Sequence, residues 1–192
     1  MSHIKIENVG GQSVDRINKL LAGIPGGAIK AASSALKRAG DAAKTQAGRF
    51  AAAEYTINKG DFMRNTTIKT KSSATTAGVA SMSISYVGSV LPLLTFNTSY
   101  ARDGSVRTQV KRNGGAQLLE HVFVAKIGGH TSTYERIGKA RFPLEQKYGP
   151  STGHMMRNED VIERMDETVR ETFERRAEHE ILRVLNGWGG GG

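Results

Sequence analysis

Apolar residues recur every three or four positions near both ends of the chain and every second position in between, so the sequence reads as helices flanking a strand-rich middle. At the start, His3-Ile4-Lys5-Ile6-Glu7 alternates and predicts a short edge strand ended by Gly10-Gly11. Val14, Ile17, Leu20 and Leu21 then fall at helical spacing, with Ser13 as the expected N-cap and Ile24-Pro25-Gly26-Gly27 as the stop. From Ala28 to about Tyr55, Ile29, Ala32, Leu36, Ala39, Ala43, Ala47 and Phe50 share one side of a long alanine-rich helix. Small residues on that face let another backbone come close, so this helix is expected to lie across a sheet. Gly40 and Gly48 inside it each cost about 1 kcal/mol relative to alanine, which points to close packing or a bend.

In the middle, Asn58-Lys59-Gly60-Asp61 opens a turn, and Asp61 is placed to cap a brief helix reaching Asn65. Thr66 to Lys71 is rich in β-branched residues, and Met82, Ile84 and Tyr86 alternate with serines, which predicts two strands joined through Ser72–Gly78. Leu91-Pro92-Leu93-Leu94-Thr95-Phe96 carries a proline and suits an edge or the start of a strand. Residues 97–105 read as a polar turn. Val106, Thr108 and Val110 alternate with Arg107, Gln109 and Lys111, and Asn113-Gly114-Gly115 supplies a hairpin turn, with a return strand expected at Val122–Ile127 and another at Thr131–Arg136. Arg107, Lys111 and Arg112 make the outward face and tip of this hairpin basic.

Tyr134 to Met156 follows as a connector held by Phe142-Pro143 and by an expected turn at Gly149-Pro150-Ser151. Arg136, Lys139, Arg141 and Lys147 are spaced by apolar or small residues, a composition that suits an interface better than a core. Asn158 or Asp160 then caps a C-terminal helix whose Val161, Met165, Val169, Phe173, Ala177, Ile181 and Leu185 recur every four residues. That stripe drifts around the helix, so it is expected to cross a sheet. The resulting fold class is α+β: an antiparallel sheet with the long alanine-rich helix and the amphipathic C-terminal helix packed on it, plus an extended basic hairpin. Residues 1–186 are expected to form a single domain and 187–192 a flexible glycine-rich tail with one aromatic anchor, Trp188.

Composition changes the picture in two ways. Only 38% of the 192 residues are hydrophobic and 23 are glycine, which is lean for a chain that buries its core alone, so neighbours are expected to contribute to stability. The charge is also uneven: residues 150–192 carry six Lys/Arg against nine Asp/Glu, while the chain as a whole has a net charge of +9. A basic body with an acidic helix allows head-to-tail attraction between copies, and separately allows a polyanion to pass nearby.

Catalytic and metal patterns are missing. His3, His121, His130, His154 and His179 do not pair at metal-ligand spacing, and there is no cysteine. The glutamates and aspartates of the last helix read as a solvated face, and neither a phosphate-binding glycine loop nor a nucleophile elbow is present. An enzyme is not expected, nor any cofactor or metal. No apolar run reaches the roughly 18–20 residues of a membrane span, so no membrane association is expected.

The segments Tyr134-Glu135-Arg136, Phe142-Pro143-Leu144 and Tyr148-Gly149-Pro150-Ser151 with Met155 and Met156, followed by a helix ending Ala177-Glu178-His179-Glu180-Ile181, resemble the minor tail protein Z family of long-tailed bacteriophages and prophages. Leu91–Phe96 and Phe123-Val124-Ala125-Lys126 extend the resemblance, which covers residues 25–185 and departs at Thr152-Gly153-His154, where the family is more apolar. The resemblance implies a non-enzymatic virion protein, assembled in the host cytoplasm, that completes the head-proximal end of a tail so that it can join the DNA-filled head. It implies a ring of copies, most simply sixfold, touching tail-tube or tail-terminator proteins and the head–tail connector. Under it, Arg136, Arg141, Phe142, Pro143, Lys147, Tyr148, Gly149, Pro150 and Ser151 belong to the subunit or neighbour-ring interface, and Arg107, Lys111 and Arg112 face DNA or the lumen. A tail-terminator or neck-joining ring subunit is the alternative. A stand-alone DNA binder fits the charge but lacks aromatic residues interleaved with the basic ones.

Overall fold

The computed structural model describes residues 2–7, 9–75 and 80–187. Helices toward the two ends and a run of antiparallel strands between them make the α+β class. In chain order they are β1 (Ser2–Ile6), α1 (Gly11–Leu20), α2 (Gly27–Glu54), α3 (Lys59–Arg64), β2 (Thr67–Ala74), β3 (Ala80–Val87) and β4 (Val90–Pro92). A 3-10 turn at Leu93–Thr95 leads to β5 (Asn97–Tyr100), β6 (Val106–Gln109), β7 (Gln117–Leu119), β8 (Val122–Ile127) and β9 (His130–Arg136). The chain ends with β10 (Leu144–Gln146), β11 (Tyr148–Ser151), α4 (Thr152–Met155) and α5 (Glu159–Leu185). The strands make four small antiparallel sheets where one was expected. The residues fall into two compact units: 1–47 with 68–86 and 162–192, and 48–67 with 87–161.

The first unit is a helix-covered sheet in the order β1-β3-β2, with Ile4 opposite Ile84 and Ile6 opposite Met82. Alternate residues of β3 are buried, so Met82, Ile84 and Tyr86 form its inner face. The alanines of α2 allow the close approach that the sequence predicts: a Cβ added to Gly40 would lie 3.3 Å from the Met82 terminal methyl. α5 reaches the same strand face, where the Tyr86 hydroxyl lies 3.9 Å from the Met165 sulfur. Burial there holds the Tyr86 phenol well above the usual tyrosine range. The α5 stripe from Val161 to Ile181 is buried, but Leu182 and Leu185 are exposed, so the stripe ends one turn before the helix does. Gly187, at a φ of +75°, closes the helix by donating its N–H to the Val184 carbonyl.

Several local expectations change for identifiable reasons. Ser13 lies inside α1, and the N-cap is Gly10, in the left-handed region at φ +76° without a side-chain cap. Residue 10 must be glycine on a second count, because a Cβ there would overlap the Phe173 ring. Asn58, one turn earlier than Asp61, caps α3 by accepting the Asp61 N–H at 2.7 Å. Asn158 caps α5, its Oδ1 accepting the Asp160 N–H at 3.0 Å. The link between β2 and β3 starts later than expected, since β2 runs to Ala74, and residues 76–79 of that link lie outside the described residues, as do 188–192 of the expected tail.

The second unit holds the other three sheets, β5-β6-β7, β10-β9-β8 and β11-β4. Residues 97–100 are strand β5, paired with β6 so that Asn97 faces Gln109 and Tyr100 faces Val106. Polar residues suffice there because Thr98 and Thr108 hydroxyls bond each other across the pair at 2.9 Å. The return strand of the basic hairpin is β7, with Thr108 opposite Gln117, while β8 pairs with β9.

Gly10→Ala should lower unfolding stability by about 3 kcal/mol or more, since ring overlap adds to left-handed strain. Gly26→Ala, at φ +69° with open space around it, should lose only about 1 kcal/mol. Urea unfolding of the two variants measures the difference; equal losses would show that Phe173 yields at no cost.

Candidate functional site

Strand pairing gathers the connector at both of its ends. β9 and β10 are antiparallel neighbours, with Arg136 opposite Leu144 and Glu135 opposite Glu145, so residues 137–143 form the link between them. Tyr148–Ser151, expected as a turn, is strand β11 with a bulge, placing Tyr148 opposite Pro92 and Ser151 opposite Val90. Proline is tolerated on both strands because this sheet has only two, leaving each an open edge. Gly149 is required at the crossing, because a Cβ there would come within 3.0 Å of Phe96 Cδ2 and closer still to Cε2. Ser151 accepts the His154 N–H at 3.1 Å and so caps α4. Met155 and Met156 behind it are fully buried.

The connector's cations divide into two kinds. Lys147 is engaged within the chain: its Nζ lies 2.5 Å from Glu135 Oε2 and 2.9 Å from Glu145 Oε2. Glu135 and Glu145 face each other across β9 and β10, a like-charge pair that repels, and the ammonium bridges it. Those two carboxylates hold the Lys147 pKa above its ordinary value. Lys147, expected at an interface, thus serves first as an internal clamp. Tyr148 is half exposed, and its hydroxyl donates to Gln146 Oε1 at 3.0 Å.

Residues 136–143 are the second kind. All eight are exposed, and Ile137 and Phe142 present 66% and 61% of their surfaces. The Arg136 guanidinium stacks 5.5 Å from the centre of the Phe123 ring, and Arg141 sits 5.7 Å from that of Phe142. Pro143 follows Phe142 through a cis peptide bond. Arg136, Lys139 and Arg141 have no carboxylate partner among the described residues. Beside this loop lies an open cleft of ≈ 700 Å³ whose lining includes Asp103, Leu118, Glu120, Phe123, Arg136 and Lys139. Phe123 stood in the sequence only as part of a segment that extends the resemblance and not as a site residue, and Ile137 was not picked out. Ile137 belongs to no period, and that is the signal: a large apolar residue between Arg136 and Gly138 has no core to join.

The basic hairpin is tied down at its tip. Arg112 donates its backbone N–H to Glu54 O at 2.8 Å and its Nε to Ala52 O at 2.6 Å. These are orphan carbonyls at the C-terminal end of α2, where a cation also meets the negative end of the helix dipole. Thr56 continues the tie, its N–H donating to Val110 O at 2.9 Å and its hydroxyl to Gln109 O. Arg107 and Lys111 remain exposed, Lys111 bridging Tyr55 through the backbone. Of the three expected lumen-facing cations, Arg112 therefore has a structural task.

Among the described residues no group of three or more His, Asp or Glu side chains is placed to hold a metal ion, and no helix is long and apolar enough to cross a membrane. No family model, curated protein or solved structure matches the chain.

Gly149→Ala should lower stability by about 2 kcal/mol through the clash with Phe96. The loss should shrink when Phe96→Leu is added, a coupling that a double-mutant unfolding cycle reads directly. For Lys147 the sign is set by its raised pKa. The ion-pair contribution is full below pH 10.5, the ordinary lysine value, and is lost as pH rises through the higher folded value. Between neutrality and alkali the stability gap between the wild type and Lys147→Met should therefore be flat at first and then close, as thermal unfolding across that range would register.

Proposed function

We propose that this chain is a non-enzymatic structural subunit that completes the head-proximal end of a phage tail and makes it competent to join the DNA-filled head. One observation carries the reading. The segments that resemble the minor tail protein Z family are scattered along the sequence, yet they pair with one another: Leu91-Pro92 with Tyr148–Ser151, and Phe123–Lys126 with the strand that ends at Arg136 and then meets Leu144. A resemblance by chance composition has no reason to fall on segments that the fold uses jointly. The loop these pairs hold, 136–143, is exposed, basic and aromatic, which is interface chemistry and not core chemistry.

In this reading the work is done by binding. Copies form a ring, most simply a sixfold one matching the symmetry of a tail tube, with tail-tube or terminator proteins on one side and the head–tail connector on the other. Arg136, Lys139 and Arg141 meet acidic surfaces of a neighbour, and Arg107 and Lys111 face the lumen through which DNA passes. The lean composition agrees with a subunit stabilised by its neighbours.

Adding the purified protein to tails assembled without it should restore attachment to filled heads. Lys139→Glu with Arg141→Glu should lower that restoration by about tenfold or more, since reversed charges at an interface repel. Counting joined particles by electron microscopy gives the answer. Full restoration by the double variant would remove the loop from the interface, and overlong tubes in the protein's absence would move the subunit to the terminator.

A further inference from the structure

α5 carries a face that local rules disfavour. Glu163, Glu167, Glu171, Glu174 and Glu178 are all exposed and follow each other at spacings of three or four residues. On an α-helix these positions fall within an arc of about 80° and extend over about 22 Å. Like charges at such spacings repel, so the helix holds this stripe against its own local preference. Cations relieve it only in part: Arg16 reaches Glu178 at 3.0 Å and Arg170, paired with Asp166, also feels Glu174, while Glu163, Glu167, Glu171 and Glu174 take part in no ion pair among the described residues. The loop 136–143 has the opposite surplus, three cations without a carboxylate and two large apolar side chains without a cover.

We propose that the loop 136–143 of one copy docks on the exposed glutamate stripe of α5 of a second copy, forming a head-to-tail contact. Arg136, Lys139 and Arg141 meet the carboxylates, and Ile137 and Phe142 lie against the stems of the long side chains between them. Charge complementarity selects this occupant. A nucleic-acid backbone fits the loop less well, because Glu120 and Asp103 line the same cleft as Arg136 and Lys139 and repel phosphate. The two surfaces differ, so the contact is heterologous: it joins each copy to the next and leaves a free loop and a free stripe at the ends until the assembly closes. The proposal rests on the tail-completion reading for its setting in a ring, while the contact itself can be tested without tails.

The test uses three forms of the full chain: wild type, a loop variant (Lys139→Glu with Arg141→Glu) and a helix variant (Glu167→Lys with Glu171→Lys). Sedimentation should show the wild type associating at low ionic strength and dissociating at about 1 M salt, where the Debye length is about 3 Å. Each variant alone should associate about tenfold more weakly or worse. Mixing the two should restore assembly, because the acidic loop of one meets the basic helix of the other while the native pair forms in alternation. That restoration also shows both variants to be folded. A wild type that stays monomeric, loop and helix variants that associate as the wild type does, or a mixture that fails to assemble overturns the docking. So does association that depends on the loop only when DNA is present. If the mixture assembles but wild type does not restore tails, the docking stands and the tail reading fails; if wild type restores tails but the mixture stays apart, the reverse holds.

Discussion

The ring of Phe96 occupies the space that a side chain at residue 149 would need, and the geometry of the connector depends on that vacancy. With glycine there, β11 comes close enough to pair with β4 across more than fifty residues of intervening sequence. Ser151 is thereby set at the start of α4, and Asn158 follows to start α5. The same device recurs where α2 approaches β3 at Gly40 and where Gly88 sits against Thr152, whose hydroxyl donates to Asn65 O at 3.2 Å. A chain with few large apolar residues obtains dense packing by bringing backbone up to side chains, since dispersion depends on contact and not on which group supplies the atoms.

Holding both ends of residues 137–143 by strand pairing has an electrostatic result. The ladder ends at Arg136 opposite Leu144, one further backbone bond from Ile137 N–H to Pro143 O at 3.3 Å closes the link, and residues 136–143 expose their side chains to solvent. The neighbouring carboxylates, Glu135 and Glu145, are turned to Lys147 and form no ion pair with Arg136 or Arg141. Aromatic stacking on Phe123 and Phe142 orients the two guanidinium groups without consuming their hydrogen-bond donors. The loop thus presents two ring-stacked guanidinium groups and the Lys139 ammonium to solvent.

The long elements were legible in the sequence because each signal is local and periodic. Alanine and leucine spacing gave α2 to within a residue or two, the four-residue repeat gave α5, and the serine alternation gave β3. What stayed hidden depends on distant residues. Nothing near Tyr148-Gly149-Pro150-Ser151 says that Leu91-Pro92 pairs with it, so a turn was the natural reading. Arg112 read as a free tip cation because the carbonyls it satisfies lie about sixty residues earlier, at Ala52 and Glu54. Lys147 and Arg141 have the same charge and similar neighbours in sequence, and only the register of β9 against β10 shows that one is internally paired and the other is not. Asn58 replaces Asp61 as the cap through a local bond, its side chain accepting the Asp61 N–H, whereas at Gly10, which replaces Ser13, the distant Phe173 ring leaves no room for a Cβ.

The charge asymmetry of the sequence acquires a physical meaning once these pairings are known. Cations are left unpaired on one loop and carboxylates on one helix face, and each arrangement is locally unfavourable. Mutual neutralisation inside a single copy would remove both costs and leave a nearly inert surface. In the proposed docking, neutralisation between copies would leave each copy charged until it meets another and would make the contact directional, because a loop cannot dock on a loop nor a stripe on a stripe. Directional contacts between identical subunits propagate by a fixed rotation, so in the proposed contact the loop that attracts would also set whether the assembly closes or grows. A seven-residue link held at both ends by paired strands would fix that rotation better than a free arm, so in the proposed contact the strand pairing at Arg136 and Leu144 matters as much as the charges it presents.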